Sequence, residues 1–196
     1  ASANGNSTYS ALASVFGRLN YNYKERYLVE FTARYDGSSK FAKGNRWGFF
    51  PSASLGWRIS EEAFFQSLTA YVSNLKFRVS YGLLGNQKID NYQYYSLIGN
   101  GGNYMYDNKI QMGYKESKMG NQLITWESSK NFNVAVDFGL FDNKLNGSFD
   151  WYKKRTSDIL LQLKTPDLLG IDAPIENAGV IENKGWDFTL NWQSNI

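Results

Sequence analysis

The clearest structural signal in the chain is the stretch YLVEFTARYD, which runs from Tyr27 to Asp36. Successive side chains of a β-strand point to opposite sides of a sheet, so an alternating sequence separates into two faces. One face of this stretch carries Tyr, Val, Phe, Ala and Tyr, and the other carries Leu, Glu, Thr, Arg and Asp. The stretch therefore predicts a strand with one apolar, aromatic face and one charged face.

The same alternation recurs in six further stretches. Most of these runs are about 9 to 12 residues long, which exceeds the roughly 5 or 6 residues of a soluble strand and matches a strand that crosses a bilayer at about 45°. The pattern therefore favours an all-β, antiparallel transmembrane barrel segment. The predicted strands are residues 13–23, 27–36, 49–59, 75–84, 131–140, 145–154 and 186–193.

The composition agrees with strands and turns and excludes several classes of protein. Aromatic residues make up 17% of the 196 residues, and the chain has 18 Gly but only 3 Pro. There is no His and no Cys, which excludes the usual zinc sites, a Cys nucleophile, a His-based triad and disulfides. No stretch approaches the roughly 18 apolar residues of a membrane helix. A net charge of +3 is too small to indicate nucleic acid, and we predict no cofactor.

The polar face of the predicted strands carries charges of both signs, which suits a water-filled or polar-plugged lumen with the aromatic face turned to lipid. A soluble β-sandwich that binds carbohydrate would show the same alternation with solvent on its charged side, so this alternative stays open. The residues predicted to face the lumen are Arg18, Glu30, Arg34, Asp36, Arg58, Lys76, Arg78, Asp137, Asp150 and Asp187.

The connections between the predicted strands alternate between short and long. In outer-membrane barrels the short turns are periplasmic and the long loops are extracellular. One connection on the turn side is longer, because Glu61 to Phe65 read as a short helical turn within residues 60–74. The short connections are Lys24–Arg26 and Asp142–Lys144, and the long ones are Gly37–Trp47, Gly85–Thr125 and Thr156–Lys184.

The longest loop is rich in Tyr beside Asn, Gln and Gly, a composition that provides adaptable polar surfaces with flat apolar platforms. These tyrosines could stack on a sugar or hold a peptide, or they could pack loop against loop and close the barrel mouth. The candidate substrate-binding residues are Tyr92, Tyr94, Tyr95, Tyr104 and Tyr106.

Two groups of charged residues are open to further interpretations. Glu30 and Asp36 alternate with Arg34 on one strand face, so mutual pairing explains them better than carboxylate catalysis. The basic run Lys153–Arg155 at a strand end could contact lipopolysaccharide phosphates or extend its side chains along the apolar surface to water. We expect no enzymatic activity.

Seven stretches together carry a family likeness: FGRLNYNY (16–23), RYDGSSKF (34–41), FPSASLGWR (50–58), RVSYGLLGNQ (78–87), WE (126–127) with Asn131, FDWY (149–152) with TSD (156–158), and NAGVIENKG (177–185). In this order they resemble the barrel of SusC/RagA-type TonB-dependent transporters. The resemblance covers nearly the whole chain.

The resemblance implies an outer-membrane importer of oligosaccharides or peptides that spans the membrane many times. It also implies a SusD-like surface lipoprotein as partner, energy from the TonB–ExbB–ExbD complex, and contact with the lipid bilayer and lipopolysaccharide. Such barrels have roughly 22 strands. We therefore expect residues 1–196 to be part of one barrel domain, with the plug domain and the remaining strands outside them. A siderophore-type TonB-dependent receptor is the alternative within membranes.

Overall fold

The main feature of the fold is a single antiparallel sheet of seven strands whose spatial order follows the chain. The computed structural model describes residues 7–164 and 170–193. Each strand of this sheet pairs with the strand that precedes or follows it in the sheet's chain order. Two separate two-stranded sheets lie within one loop. The strands of the sheet are β1 (Leu12–Tyr23), β2 (Tyr27–Ser38), β3 (Trp47–Arg58), β4 (Val72–Asn86), β9 (Glu127–Leu140), β10 (Leu145–Gln162) and β11 (Ile175–Trp192).

All seven predicted strands are confirmed, and the pairing register shows which residues share a face. Residues directly opposite each other in an antiparallel pair project to the same side. Lys76 lies opposite Asp137, which lies opposite Ser148, and this row continues the row of Arg58 on β3. By the same register, all ten charged residues predicted to lie together are on one face of the sheet.

The opposite face is apolar along the same rows. One row runs through Leu55, Val79, Val134, Trp151 and Trp186 on five consecutive strands. The sheet is therefore divided into an apolar face and a charged face, as the alternation predicts. Other large members of the apolar face are Phe31, Phe77, Val136, Phe138, Phe149, Phe188 and Leu190.

The connections lie at two ends of the sheet. At one end, the turns 24–26 and 141–144 flank a connection that contains two 3-10 helices, Ile59–Glu61 and Ala63–Leu68. The backbone N–H of Phe141 donates to the carbonyl of Tyr71 at 3.2 Å, which ties two of these connections together. The short helical turn predicted here is confirmed. We call this the short-turn end, and the opposite one the long-loop end.

The predicted loop Thr156–Lys184 is wrong over most of its described length. β10 continues to Gln162 and β11 already begins at Ile175. The register shifts between Thr156 and Ile159, where Asp158 has a φ of 57°, so a bulge absorbs the turn-like Thr-Ser-Asp sequence. Beyond Ser157, β10 pairs with β11 alone. This two-stranded ribbon is no longer part of the wide sheet with its two distinct faces, so its side chains need not alternate between apolar and polar. Residues 165–169 of the predicted loop lie outside the described residues.

The loop predicted over Gly85–Thr125 also contains regular structure. β5 (Leu97–Asn100) pairs with β8 (Tyr114–Lys118), and β6 (Tyr104–Tyr106) pairs with β7 (Lys109–Gln111). Asp107 and Asn108 join β6 to β7, and both have positive φ, 49° and 53°. Two such residues form the tight turn whose twist matches a β-hairpin, so this dipeptide is the signal that could have revealed it.

The sheet is open at both sides. β1 and β11 are its outer strands, and each has one edge without a partner strand in residues 7–164 and 170–193. Unpaired backbone groups on an edge this long are a template for further strands. In the described part of the chain, no helix is long and apolar enough to span a membrane.

Candidate functional site

The centre of the charged face is an ion-pair cluster built on three strands. Arg78 of β4 binds both oxygens of Asp137 on β9, with Nε–Oδ2 and Nη2–Oδ1 distances of 2.7 Å. Its Nη2 also reaches Asp150 on β10 at 3.2 Å. A planar guanidinium can hold two carboxylates in fixed directions. These three residues therefore tie adjacent strands together, and both carboxylates are engaged rather than free for acid–base chemistry.

The remaining predicted charges form smaller groups. Arg34 contacts both oxygens of Asp36 from two residues away, at 2.7 and 2.6 Å. Arg18 and Glu30 are 3.9 Å apart. The expected pairing is thus present for Arg34 and Asp36, whereas Glu30 pairs with Arg18 of the neighbouring strand β1 and not with Arg34.

Three predicted charges sit at the borders of this network. Arg58 turns to the short-turn end, where it lies 3.2 Å from Glu61 and 3.7 Å from Glu25. Asp187 lies opposite Asp150 in the register, and Lys76 lies opposite Asp137. The face thus carries close charges of both signs, which can line an aqueous passage with little net field.

Aromatic residues on the apolar face are anchored at the short-turn end by one carboxylate. Glu62 accepts hydrogen bonds from the Tyr27 hydroxyl at 2.7 Å and from Trp57 Nε1 at 3.1 Å, and Arg26 lies 3.4 Å away. These hydrogen bonds, the one from Tyr27 first, hold the pKa of Glu62 below its ordinary value of 4.5. Tyr27 and Trp57 thus have apolar rings and satisfied polar tips, as aromatic residues at a membrane interface do.

The long-loop end has a hydrophobic core of its own, which the sequence analysis missed. Phe41, Ile89, Ile124 and Trp126 are buried together there. The Phe41 and Trp126 rings lie 5.2 Å apart, and Trp126 Nε1 donates to the carbonyl of Arg46 at 2.9 Å. The cluster joins the β2–β3 loop to the loop that precedes β9, and we call it the loop core. Its only sequence signal is isolated apolar residues in otherwise polar loops.

Hydrogen bonds from side chains to backbone groups extend the loop core. Lys40 Nζ donates to the carbonyl of Ile89 at 2.6 Å. Asn177 of β11 both donates to and accepts from the backbone of Thr125, at 3.0 and 2.9 Å. Each of these bonds satisfies a backbone group that a loop would otherwise leave to water. The β2–β3 loop, the loop that precedes β9 and the first residues of β11 are therefore held together.

The loop core rests on the charged face through Phe50. Its ring lies 5.4 Å from that of Trp126. A Cβ at Gly48 or at Gly85 would overlap the Phe50 ring, so these two positions need glycine for space. Phe50 shares a face with Arg34 and is half-buried against the loop core.

The five candidate tyrosines are divided between two segments. Tyr92 donates its hydroxyl to the carbonyl of Tyr9 at 3.2 Å, and the Tyr94 and Tyr95 rings pack 4.4 Å apart. Tyr104 and Tyr106 lie on β6 and are 59% and 69% exposed. The structure thus brings three of them to the turn after β4 and places the other two on the projecting hairpin.

Comparison with known proteins identifies the class of protein to which this sheet belongs. The model of the family described as "TonB dependent receptor-like, beta-barrel" matches residues 1–196, and the chain belongs to this family. The open sheet is therefore part of a β-barrel fold rather than one layer of a soluble sandwich.

Individual TonB-dependent receptors are similar to most of this chain. The chain is 39% identical over 188 residues to the TonB-dependent receptor SusC of Bacteroides thetaiotaomicron, covering 94% of this chain and 19% of that protein. It is 38% identical over 180 residues to a TonB-dependent receptor of Formosa agariphila, covering 92% of this chain and 18% of the relative. The chain thus spans about a fifth of the length of the curated relatives that it matches.

Solved structures agree with the fold. The structure of the RagAB peptide importer in its closed-closed state matches with a TM-score of 0.82 and 32% identity, covering 92% of this chain and 19% of that chain. The siderophore receptor PirA from Pseudomonas aeruginosa matches with a TM-score of 0.61 and 14% identity, covering 92% and 31%. The second likeness concerns the fold alone.

Proposed function

We propose that residues 1–196 form part of the β-barrel domain of a TonB-dependent outer-membrane importer of oligosaccharides or peptides. The observation that carries the proposal is the seven-stranded sheet with a continuous apolar face, a paired charged face and unpaired edges. Lipid cannot satisfy an open edge, so further strands of the intact receptor must close the barrel. The relatives named SusC and RagAB support solutes of this kind over siderophores.

In this proposal the apolar face contacts lipid and the ten charged residues face the lumen. The plug domain lies outside residues 1–196, as does the segment that engages the TonB–ExbB–ExbD complex. A SusD-like surface lipoprotein covers the long-loop end, where Tyr92, Tyr94, Tyr95, Tyr104 and Tyr106 contribute to the solute cavity. The protein moves solutes and performs no covalent chemistry, and the engagement of Asp137 and Asp150 by Arg78 supports this part of the proposal.

The orientation can be tested by cysteine labelling of the full-length receptor. We expect single cysteines at Asn103 or Asp172 to react with an impermeant maleimide on whole cells, because the long loops are extracellular. Cysteines at Glu25 or Asn143, in the short turns, should react only after the outer membrane is permeabilised. Residues 1–196 contain no natural cysteine, and any cysteine elsewhere in the full-length receptor is first replaced by serine, so that each label reports one position. Labelling of Glu25 and Asn103 from the same side would overturn the barrel arrangement.

The solute class can be tested by deleting the gene for the full-length receptor. We expect growth to be lost on an oligosaccharide or a peptide mixture as the sole carbon source and to be restored by the intact gene. Growth on a monosaccharide is the control, because small sugars pass general pores. A defect that appears only under iron limitation would contradict the proposal and favour the siderophore alternative.

A further inference from the structure

The apolar face ends in a group of basic residues on the long-loop side of β9, β10 and β11. The register places Lys153 opposite both Phe132 and Lys184 in one row. In the next row toward the long-loop end, Arg155 lies opposite Lys130 and Glu182. Both rows lie on the side of Trp151 and Trp186, not on the charged face.

The positions of these rows fit a membrane interface. Along β10, Phe149, Trp151, Lys153 and Arg155 are successive members of one face, about 7 Å apart at the usual strand rise. Along this face the side chains therefore change from apolar (Phe149) to Trp (Trp151) and then to cationic (Lys153 and Arg155). Trp marks the level of the lipid headgroups in membrane barrels, so Lys153 and Arg155 project at or just beyond that level.

The group is not neutralised by the protein. Lys153 Nζ lies 3.3 Å from Glu182, and this is the one ion pair that its members make in residues 7–164 and 170–193. The four cations and one carboxylate leave a net charge of +3 on neighbouring strands, which lie about 4.8 Å apart. In a cluster that served only strand pairing, each charge would have an opposite charge within reach, as Arg78, Asp137 and Asp150 do on the charged face.

We propose that Lys130, Lys153, Arg155 and Lys184 form a binding site for the phosphate groups of lipopolysaccharide in the outer leaflet. This inference rests on the proposed function, because it requires the apolar face to contact lipid and the long-loop end to be extracellular. Phosphate is the matching ligand chemistry, since Arg binds it with two hydrogen bonds and Lys adds point charges. The lipid rather than free phosphate is the ligand because the cations adjoin the apolar rows that its acyl chains would cover.

The test uses the full-length receptor in detergent, titrated with lipid A that carries its phosphate and with the same lipid after enzymatic dephosphorylation. We expect the double variant Lys153→Gln/Arg155→Gln to bind phosphorylated lipid A about 20- to 30-fold more weakly, since each basic residue at an anionic surface contributes about a factor of five. The unmodified receptor should bind dephosphorylated lipid A more weakly still, because loss of the phosphate removes the contribution of all four cations. Lys130→Gln/Lys184→Gln should give a similar loss from different strands.

The matched control is Lys154→Gln, because Lys154 lies between the two altered residues but on the other face, opposite Asn131 and Asn183. It should bind lipid A as the unmodified receptor does. Equal affinity of both double variants and the control would overturn the site, as would inorganic phosphate that competes as well as the lipid does.

A second measurement separates this site from the proposed function. Residues 1–196 contain four further Trp residues, so the signal of Trp151 and Trp186 is taken as the difference between the unmodified receptor and the variant Trp151→Phe/Trp186→Phe. In vesicles of brominated phospholipid, the quenched part of the Trp fluorescence should be smaller in this variant if the apolar face contacts lipid. Such a decrease, together with unchanged lipid A affinity in the Lys and Arg double variants, would overturn the phosphate site alone. An unchanged quenched part would overturn both the site and the proposed placement of the barrel.

Discussion

Replacing Phe41 by Ala should uncouple the long loops from one another. Phe41 is fully buried in the loop core, and removal of a buried Phe ring costs about 3 to 5 kcal/mol. The loss falls on a local unit rather than on the strands, so we expect amide hydrogen exchange in residues 39–46 and 87–126 to accelerate by more than about a hundredfold. Exchange in the strands β2 and β3 should change little.

The matched control for this experiment is Phe49→Ala. Phe49 lies on the apolar face of β3 and is 58% exposed, so the same truncation removes no packing from the loop core. Exchange measured by mass spectrometry on the full-length receptor distinguishes the two variants. If Phe49→Ala loosened the same loops equally, the loop core would not be what holds them.

Replacing Val136 by Arg should destabilise the folded barrel in a bilayer. Val136 lies in the middle of the apolar face, opposite Phe77 and Phe149. An Arg on the lipid-facing side costs about 2 to 4 kcal/mol near the bilayer midplane and close to nothing at the interfaces. We therefore expect a loss of this size in the free energy of unfolding, measured by denaturant titration of the full-length receptor in phospholipid vesicles.

The control is Asn133→Arg on the same strand. Asn133 belongs to the charged face, opposite Ser80 and Tyr152, where an added cation meets water and polar groups. Asp137 is unsuitable for this purpose because it pairs with Arg78, and any change there would remove that pair. Equal losses at positions 133 and 136 would contradict the assignment of the two faces.

The sequence by itself determined the strands, their two faces and the family. Alternation depends only on the local geometry of a strand, so Tyr27 to Asp36 already separates into an aromatic and a charged side. The short turns were readable for the same reason, since Lys24–Arg26 and Asp142–Lys144 are local in sequence. The pairing register places all ten predicted charges on one face, because residues directly opposite each other in antiparallel strands project to the same side of the sheet.

The tertiary structure alone decided which distant residues meet. Phe41 and Trp126 come from two different loops and pack together in the loop core. Arg78 pairs with both Asp137 and Asp150, which lie on two other strands. Such contacts leave no period in the sequence, because they depend on how loops fold back after the sheet has formed. The extension of β10 and β11 beyond Thr156 was hidden for a related reason. Beyond Ser157, β10 pairs with β11 alone, and Leu160 and Ile175 pack against the loop core, so the apolar residues of this part follow those contacts rather than a strict alternation.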